Sequence, residues 1–160
     1  MSKRGKDFKM NTPLLKSKDL DKMAHELVNA IRHITFNKSN PKMANDAPFP
    51  SYSVGYKKSK KTGKLRRQDS SYASSTAPYL TGDLYRDLTP KKSNRGNKFS
   101  IGWNTHAYKI DSLEKKGRVL TSNANPVNPR AMARVMPTIG KALDKVLVNG
   151  TQHIKMGKKK

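Results

Sequence analysis

Apolar residues recur at three- and four-residue steps through Leu20, Met23, Ala24, Leu27, Val28, Ile31 and Ile34, while Asp21, Lys22, His25, Glu26, Asn29, Arg32 and His33 fill the other positions. That spacing predicts an amphipathic helix with one buried stripe. Ser17 reads as its N-cap, Asp19 and Asp21 place negative charge where the helix dipole favours it, and residues 37–41 end it. A second helical stripe runs through Met132, Val135, Met136, Ile139, Leu143, Val146 and Leu147. Pro137 is expected in the first turn of its main segment, because a proline inside a helix removes a backbone bond, and Asn149-Gly150 reads as the stop. Between the helices the period changes. Phe99, Ile101 and Trp103 alternate as a half-buried strand requires, and Tyr108 and Ile110 suggest a second strand. Residues 81–88 read as a short helix capped by Thr81, with Leu84 and Leu88 one turn apart.

The connecting segments are rich in turn formers. Residues 37–50 hold Pro41, Pro48 and Pro50, residues 69–76 are serine-rich, residues 93–97 form a turn, and residues 119–129 are an uncharged loop. Lys60-Lys61-Thr62-Gly63-Lys64 fits a hairpin tip or a flexible loop. The expected fold is α+β: a small antiparallel sheet packed by an N-terminal and a C-terminal amphipathic helix. Residues 17–150 are expected to form one domain, between a basic arm at 1–16 and a basic tail at 151–160. Both helix stripes must bury somewhere, and the face carrying Phe99, Ile101 and Trp103 is the largest apolar surface on offer.

Charge alters this picture of an ordinary small domain. Lys and Arg number 34 against 11 Asp and Glu, a net +23 in 160 residues. Self-repulsion on that scale opposes compaction unless a polyanion or an acidic neighbour offsets it. The densest stretch is residues 57–67, with Lys57, Lys58, Lys60, Lys61, Lys64, Arg66 and Arg67. Such a run suits non-specific phosphate contact, and Tyr52, Tyr56 and Tyr72 flank it where they could stack on bases; a merely solvated loop is the plainer alternative. No zinc-finger, ribonucleoprotein or helix-turn-helix pattern accompanies it, so the expected contact is not sequence-specific. The absence of cysteine rules out disulfides and thiolate zinc sites. No apolar run is long enough to span a membrane, and Asn11-Thr12-Pro13 stands where a secretory signal would be apolar.

Catalytic signatures fail on named residues. His25-Glu26 opens a two-histidine zinc helix, but Asn29 occupies the second ligand position. Gly63-Lys64 is followed by Leu65 where a phosphate loop needs Ser or Thr. Asp83 and Asp87 lie four apart beside Arg86, Lys91 and Lys92, which suits charge balance better than acid–base chemistry. The expectation is a non-enzymatic protein with no cofactor and no metal.

One set of motifs, in one order, resembles a known family. After the first helix come Tyr56-Lys57-Lys58, then Leu80-Thr81-Gly82-Asp83-Leu84 and Phe99-Ser100-Ile101-Gly102. Tyr108, Glu114-Lys115-Lys116-Gly117 and Asn128-Pro129-Arg130 follow, before the closing helix. Over residues 17–149 this order resembles the tailed-phage tail-completion and head–tail connector proteins. The chain departs from that pattern at Lys109 and at Ala131-Met132, which follow the tyrosine and the Pro-Arg pair. The resemblance implies a structural virion protein of the neck or tail, present in the host cytoplasm during assembly. It implies a six-fold or twelve-fold ring of copies, contact with portal, adaptor or tail-tube proteins, and a non-specific hold on genomic DNA in the conduit. Within the motif it casts Leu80, Thr81, Gly82, Leu84, Ile101, Gly102, Tyr108, Glu114, Gly117, Pro129 and Arg130 as structural, with Gly82 allowing close backbone approach. A ribosomal or nucleoid type of nucleic-acid-binding protein is the alternative that composition suits equally well.

Overall fold

The computed structural model describes residues 15–65, 68–91 and 99–155. In chain order they form α1 (Ser17–Thr35), α2 (Val54–Lys61), a 3₁₀ turn (Ser70–Tyr72), α3 (Asp83–Asp87), β1 (Leu88–Lys91), β2 (Ser100–Trp103), α4 (Tyr108–Glu114) and α5 (Pro129–Lys155). β1 and β2 are antiparallel, with Leu88 opposite Trp103 and Lys91 opposite Ser100. The architecture is α+β, with α1 and α5 packed together and α1 laid on the two-stranded sheet.

α1 buries its expected stripe. Leu27, Val28, Ile31 and Ile34 meet Leu88 of β1 and Ala131 and Val135 of α5, and Phe99, Ile101 and Trp103 close the edge. Its start differs from expectation: Lys16 holds the cap position without a side-chain bond, and Ser17 is already helical. Arg32, on the polar face, is more than solvated. Its guanidinium donates to the carbonyls of Tyr85 at 2.9 Å and Leu88 at 2.8 Å, fastening the α3–β1 corner to α1. A second cluster gathers Phe36, Phe49, Leu84, Ile110 and Leu120. Trp103 touches both clusters, and its indole N–H donates to the Leu84 carbonyl at 3.0 Å.

Several expectations are corrected. The lysine run is helix α2, because Ser53 caps it through the Tyr56 N–H and lysine is a good helix former; Gly63, at φ +67°, follows its end. The expected strand at Tyr108 and Ile110 is helix α4. Asp87 turns the chain into it, accepting the backbone N–H groups of Asn104, Thr105 and His106 at 2.8–3.0 Å. Against the cost of burial, those three donors hold the Asp87 carboxyl below its usual range. Leu88 opens β1 instead of closing a helix, and the cap of α3 is Gly82, not Thr81.

α5 begins earlier and ends later than its stripe suggested. Pro129 stands at its first turn, and the Asn128 side chain accepts from the Arg130 N–H at 2.9 Å. Pro137 therefore lies inside the helix, at an exposed position where water can satisfy the carbonyl left without a donor. Gly150 does not stop it, since one glycine costs a helix only about 1 kcal/mol. The residues of its apolar stripe also divide. Val135 is buried with Ala131 and Ala142, while Met132, Met136, Leu143, Leu147 and Val148 are 39–64% exposed. Helix α1 covers one side of α5, and the apolar stripe of α5 is wider than that side.

Asn128 is itself 3% exposed and also donates to the Met43 carbonyl at 2.7 Å, so it ties the start of α5 to the 41–50 loop. Asn128→Ala is expected to lower stability by about 1–3 kcal/mol, seen as an earlier denaturant midpoint at unchanged slope. A shift under about 0.5 kcal/mol, the size of an ordinary surface change, would contradict that role. Among the described residues no helix is long and apolar enough to cross a membrane. The serine-rich 69–76 connector holds the 3₁₀ turn; the first part of the expected tail at 151–160 continues α5 to Lys155, while the turn at 93–97, most of the arm at 1–16 and the rest of the tail lie outside the described residues.

Candidate functional site

Three segments that are far apart in sequence meet around one cleft of about 680 Å³. The start of α2 supplies Tyr52 and Tyr56, the 78–85 stretch supplies Tyr79 and Tyr85, and α4 and the turn after it supply Tyr108, Lys109, Lys116 and Arg118. Five tyrosines and three cations thus share one opening. Leu80, Thr81, Gly82, Leu84 and Tyr108, drawn together from separate motifs, all line it.

Glycine is required at one point of the rim. Gly82 has φ +77°, and a Cβ there would stand 2.6 Å from the Tyr79 hydroxyl and 2.8 Å from Arg86 Nη1. The close approach lets the 79–86 turn fold tightly over its own side chains. Thr81 donates to Asp83 Oδ2 at 2.6 Å, Arg86 pairs with Oδ1 at 2.9 Å, and Lys109 reaches Oδ2 at 3.3 Å. The Thr81 hydroxyl, aided by Lys109 and Arg86, holds the Asp83 carboxyl down at about 2. The one carboxylate among the described lining residues is therefore already engaged.

Beneath the cleft lie two cations without carboxylate partners among the described residues. Arg118 is 3% exposed; its guanidinium donates to the carbonyls of Thr76 and Pro50 and sits 3.5 Å from the centroid of the Tyr52 ring. Lys60 is 1% exposed, donates to the Ser75 carbonyl at 2.8 Å and lies 4.8 Å from the same ring. Carbonyl dipoles and the ring's negative face replace the water these charges lose. Gly117 makes the placement of Arg118 possible: at φ +71° it turns the chain after α4, and the Arg118 N–H returns to the Leu113 carbonyl at 2.9 Å.

The tyrosines are not equivalent. The Tyr52 hydroxyl donates to the Ala77 carbonyl at 2.8 Å, and burial pushes its phenol up to about 12. Tyr79 stacks on Tyr72 at 3.9 Å between centroids, and Arg32 covers Tyr85 at 4.9 Å. Tyr56 meets Tyr52 at a tilt of 48°, and Tyr108 is 66% exposed. Burial also raises Tyr56 and Tyr79, so these phenols stay protonated at neutral pH.

The remaining expected residues are dispersed. Lys57, Lys58, Lys61 and Lys64 are exposed on α2 and just beyond it, but Lys60 is buried and unavailable to an external phosphate, which corrects its place among the contact residues. Arg66 and Arg67 lie outside the described residues. Ile101 faces the first cluster, and Gly102 sits in β2 against the Lys91 side chain. Glu114 ends α4 in solvent, while Pro129 opens α5 and Arg130 pairs with Asp46 at 2.8 Å, none of them at the cleft. Sequence reading passed over Arg118, whose one signal is a cation between Gly117 and the apolar pair Val119-Leu120. Among the described residues no three His, Asp or Glu side chains cluster closely enough to hold a metal ion. No family model, no curated protein and no solved structure matches the chain.

Proposed function

We propose that the chain is a structural virion protein, a ring-forming head–tail connector or tail-completion subunit that joins head to tail and forms part of the DNA conduit. The observation that carries this reading is one flank of α5, where Met132, Met136 and Leu143, one and two turns apart, are 39–54% exposed on one face of a long helix. Contiguous exposed apolar surface of this kind marks an assembly face. When such a face meets a different face on the next copy and the rotation closes, the product is a ring. The exposed lysines of α2 supply cationic points for the DNA that a conduit must hold without reading its sequence. Portal, adaptor or tail-tube proteins are the neighbours on either side of such a ring.

Immunogold electron microscopy of the particles that carry the protein tests the reading. Label at the neck or the head-proximal end of the tail is expected, and particles labelled nowhere along the head–tail axis would refute it. Lys57, Lys58, Lys61 and Lys64 also favour a second reading, a free non-specific nucleic-acid binder of ribosomal or nucleoid type. Complexes of that kind dissociate steeply between about 50 and about 200 mM salt, whereas apolar ring contacts persist.

A further inference from the structure

The cleft combines two properties that the connector reading does not use. Its lining includes Arg118, bonded to carbonyl oxygens and a ring face and not to a carboxylate, and Lys60 lies close by, 4.8 Å from the ring of Tyr52, itself a lining residue. Charge held in a low-dielectric interior projects further than the same charge in water, so the opening attracts anions. Lys109 and Lys116 at the wall share that sign, and Asp83, the one acidic liner among the described residues, is engaged by Thr81, Lys109 and Arg86.

The second property is aromatic surface. Tyr52 is covered by Arg118, Tyr79 by Tyr72 and Tyr85 by Arg32. Tyr56, tilted at 48° against Tyr52 with centroids 4.7 Å apart, and Tyr108, with the Lys109 ammonium 5.9 Å from its centroid, are the lining rings that carry neither a parallel stacked ring nor a guanidinium among the described residues. Both cations and open rings are what a flexible polyanion with flat apolar faces requires.

We propose that this cleft binds single-stranded nucleic acid, stacking one or two bases on Tyr56 and Tyr108 with the adjoining phosphates on Lys116 and the exposed lysines of α2. A volume of about 680 Å³ is of the size that holds small ligands, and it admits unstacked bases but not a duplex. In a duplex the base faces are occupied by their neighbours, leaving only phosphates for the protein. An acidic peptide would satisfy the cations but leave the rings without purpose. The proposal deepens the DNA contact of the connector reading by naming the strand state that the cleft takes.

Fluorescence anisotropy with labelled oligothymidylate of about ten nucleotides, and with a duplex of equal length, tests it on the full chain. Tyr56→Ala and Tyr108→Ala are each expected to weaken oligothymidylate binding roughly 5- to 150-fold and to leave duplex binding nearly unchanged. Tyr→Phe at either position keeps the binding, since the ring and not the hydroxyl does the stacking. Replacing Lys57, Lys58 and Lys61 by Ala weakens both ligands and flattens their salt dependence. Tyr108 is 66% exposed, so its alanine variant reports binding without a change of fold. Equal affinity for strand and duplex, with alanine variants at both tyrosines indistinguishable from wild type, overturns the proposal. So does polyglutamate that displaces the strand as well from the alanine variants as from wild type. These measurements need no virion, so strand binding without neck labelling would refute only the connector, and the converse only the cleft.

Discussion

Lys60→Met is expected to remove a rise in stability that the wild-type protein shows between about pH 8 and about pH 10.5. Burial, reinforced by Arg118, brings the Lys60 ammonium from 10.5 down to about 8 in the folded chain. Between those values the unfolded chain holds the proton and the folded chain has released it, so stability climbs with pH across the window. Below about pH 8 both states are protonated and the full cost of the buried charge is present, up to about 3 kcal/mol. Methionine has no proton to lose, and its curve loses that climb. Near neutrality the two proteins differ less, because methionine also leaves the Ser75 carbonyl without its donor, at about 1–3 kcal/mol. The falling net charge of so basic a chain stabilises both alike, and only the difference between their curves reports Lys60. Tyr52 acts in the opposite sense from about pH 10 upward: its phenol ionises in the unfolded chain first, so stability falls there in both proteins. Urea midpoints of the two proteins across this range check the expectation, and parallel curves would contradict it.

The buried lysine also marks the limit of what pattern alone conveys. α1 was legible because Met23, Leu27, Ile31 and Ile34 repeat over more than three turns, and only a helix puts them on one face. β2 was legible from Phe99, Ile101 and Trp103, three alternating residues ending at one large enough to span both clusters. Two alternating residues do not suffice: Tyr108 and Ile110 also fit a helix in which Ile110 and Leu113 face the second cluster three apart, which is what forms. In the lysine run there is no apolar period at all. Val54 is 84% exposed, and the helix is fixed by a serine cap and by one inward ammonium among its four lysines. Nothing in its neighbours distinguishes Lys60 from Lys58 or Lys61.

The cleft was half visible. Tyr52 and Tyr56 stood out beside the basic run, and Leu80, Thr81, Gly82, Leu84 and Tyr108 stood out as motif residues. Their convergence depends on a turn at Gly117, on Asp87 redirecting the chain after β2, and on Arg118 reaching back to carbonyls 42 and 68 residues away. These are long-range hydrogen bonds. They leave no period in the sequence, and the same polar residues would look alike on a solvated surface.

Glutamate at both Met136 and Leu143 is expected to leave the isolated subunit folded while strongly weakening the self-association that the connector reading requires. Both side chains face solvent on α5, at 54% and 45% exposure, so the substitutions leave no cavity and bury no charge within one copy. The change in folding stability should then stay within about 0.5 kcal/mol. Two acidic residues also reduce the net charge of a chain at +23, so added charge repulsion between copies does not account for lost assembly. In a closed ring the same positions meet a neighbour, and each glutamate taken out of water without a partner costs several kcal/mol. Association weaker by at least about 100-fold follows from that penalty. Ile139→Glu is the internal control: Ile139 lies one turn away and packs against the first core cluster, so a charge there should unfold the subunit outright. Sedimentation equilibrium and native mass spectrometry at matched concentrations separate the outcomes. Unaltered assembly of the double variant would remove the outward face of α5 as the joining surface. Unfolding of the double variant would mean that this face is held against the subunit's own core and not presented to a neighbour.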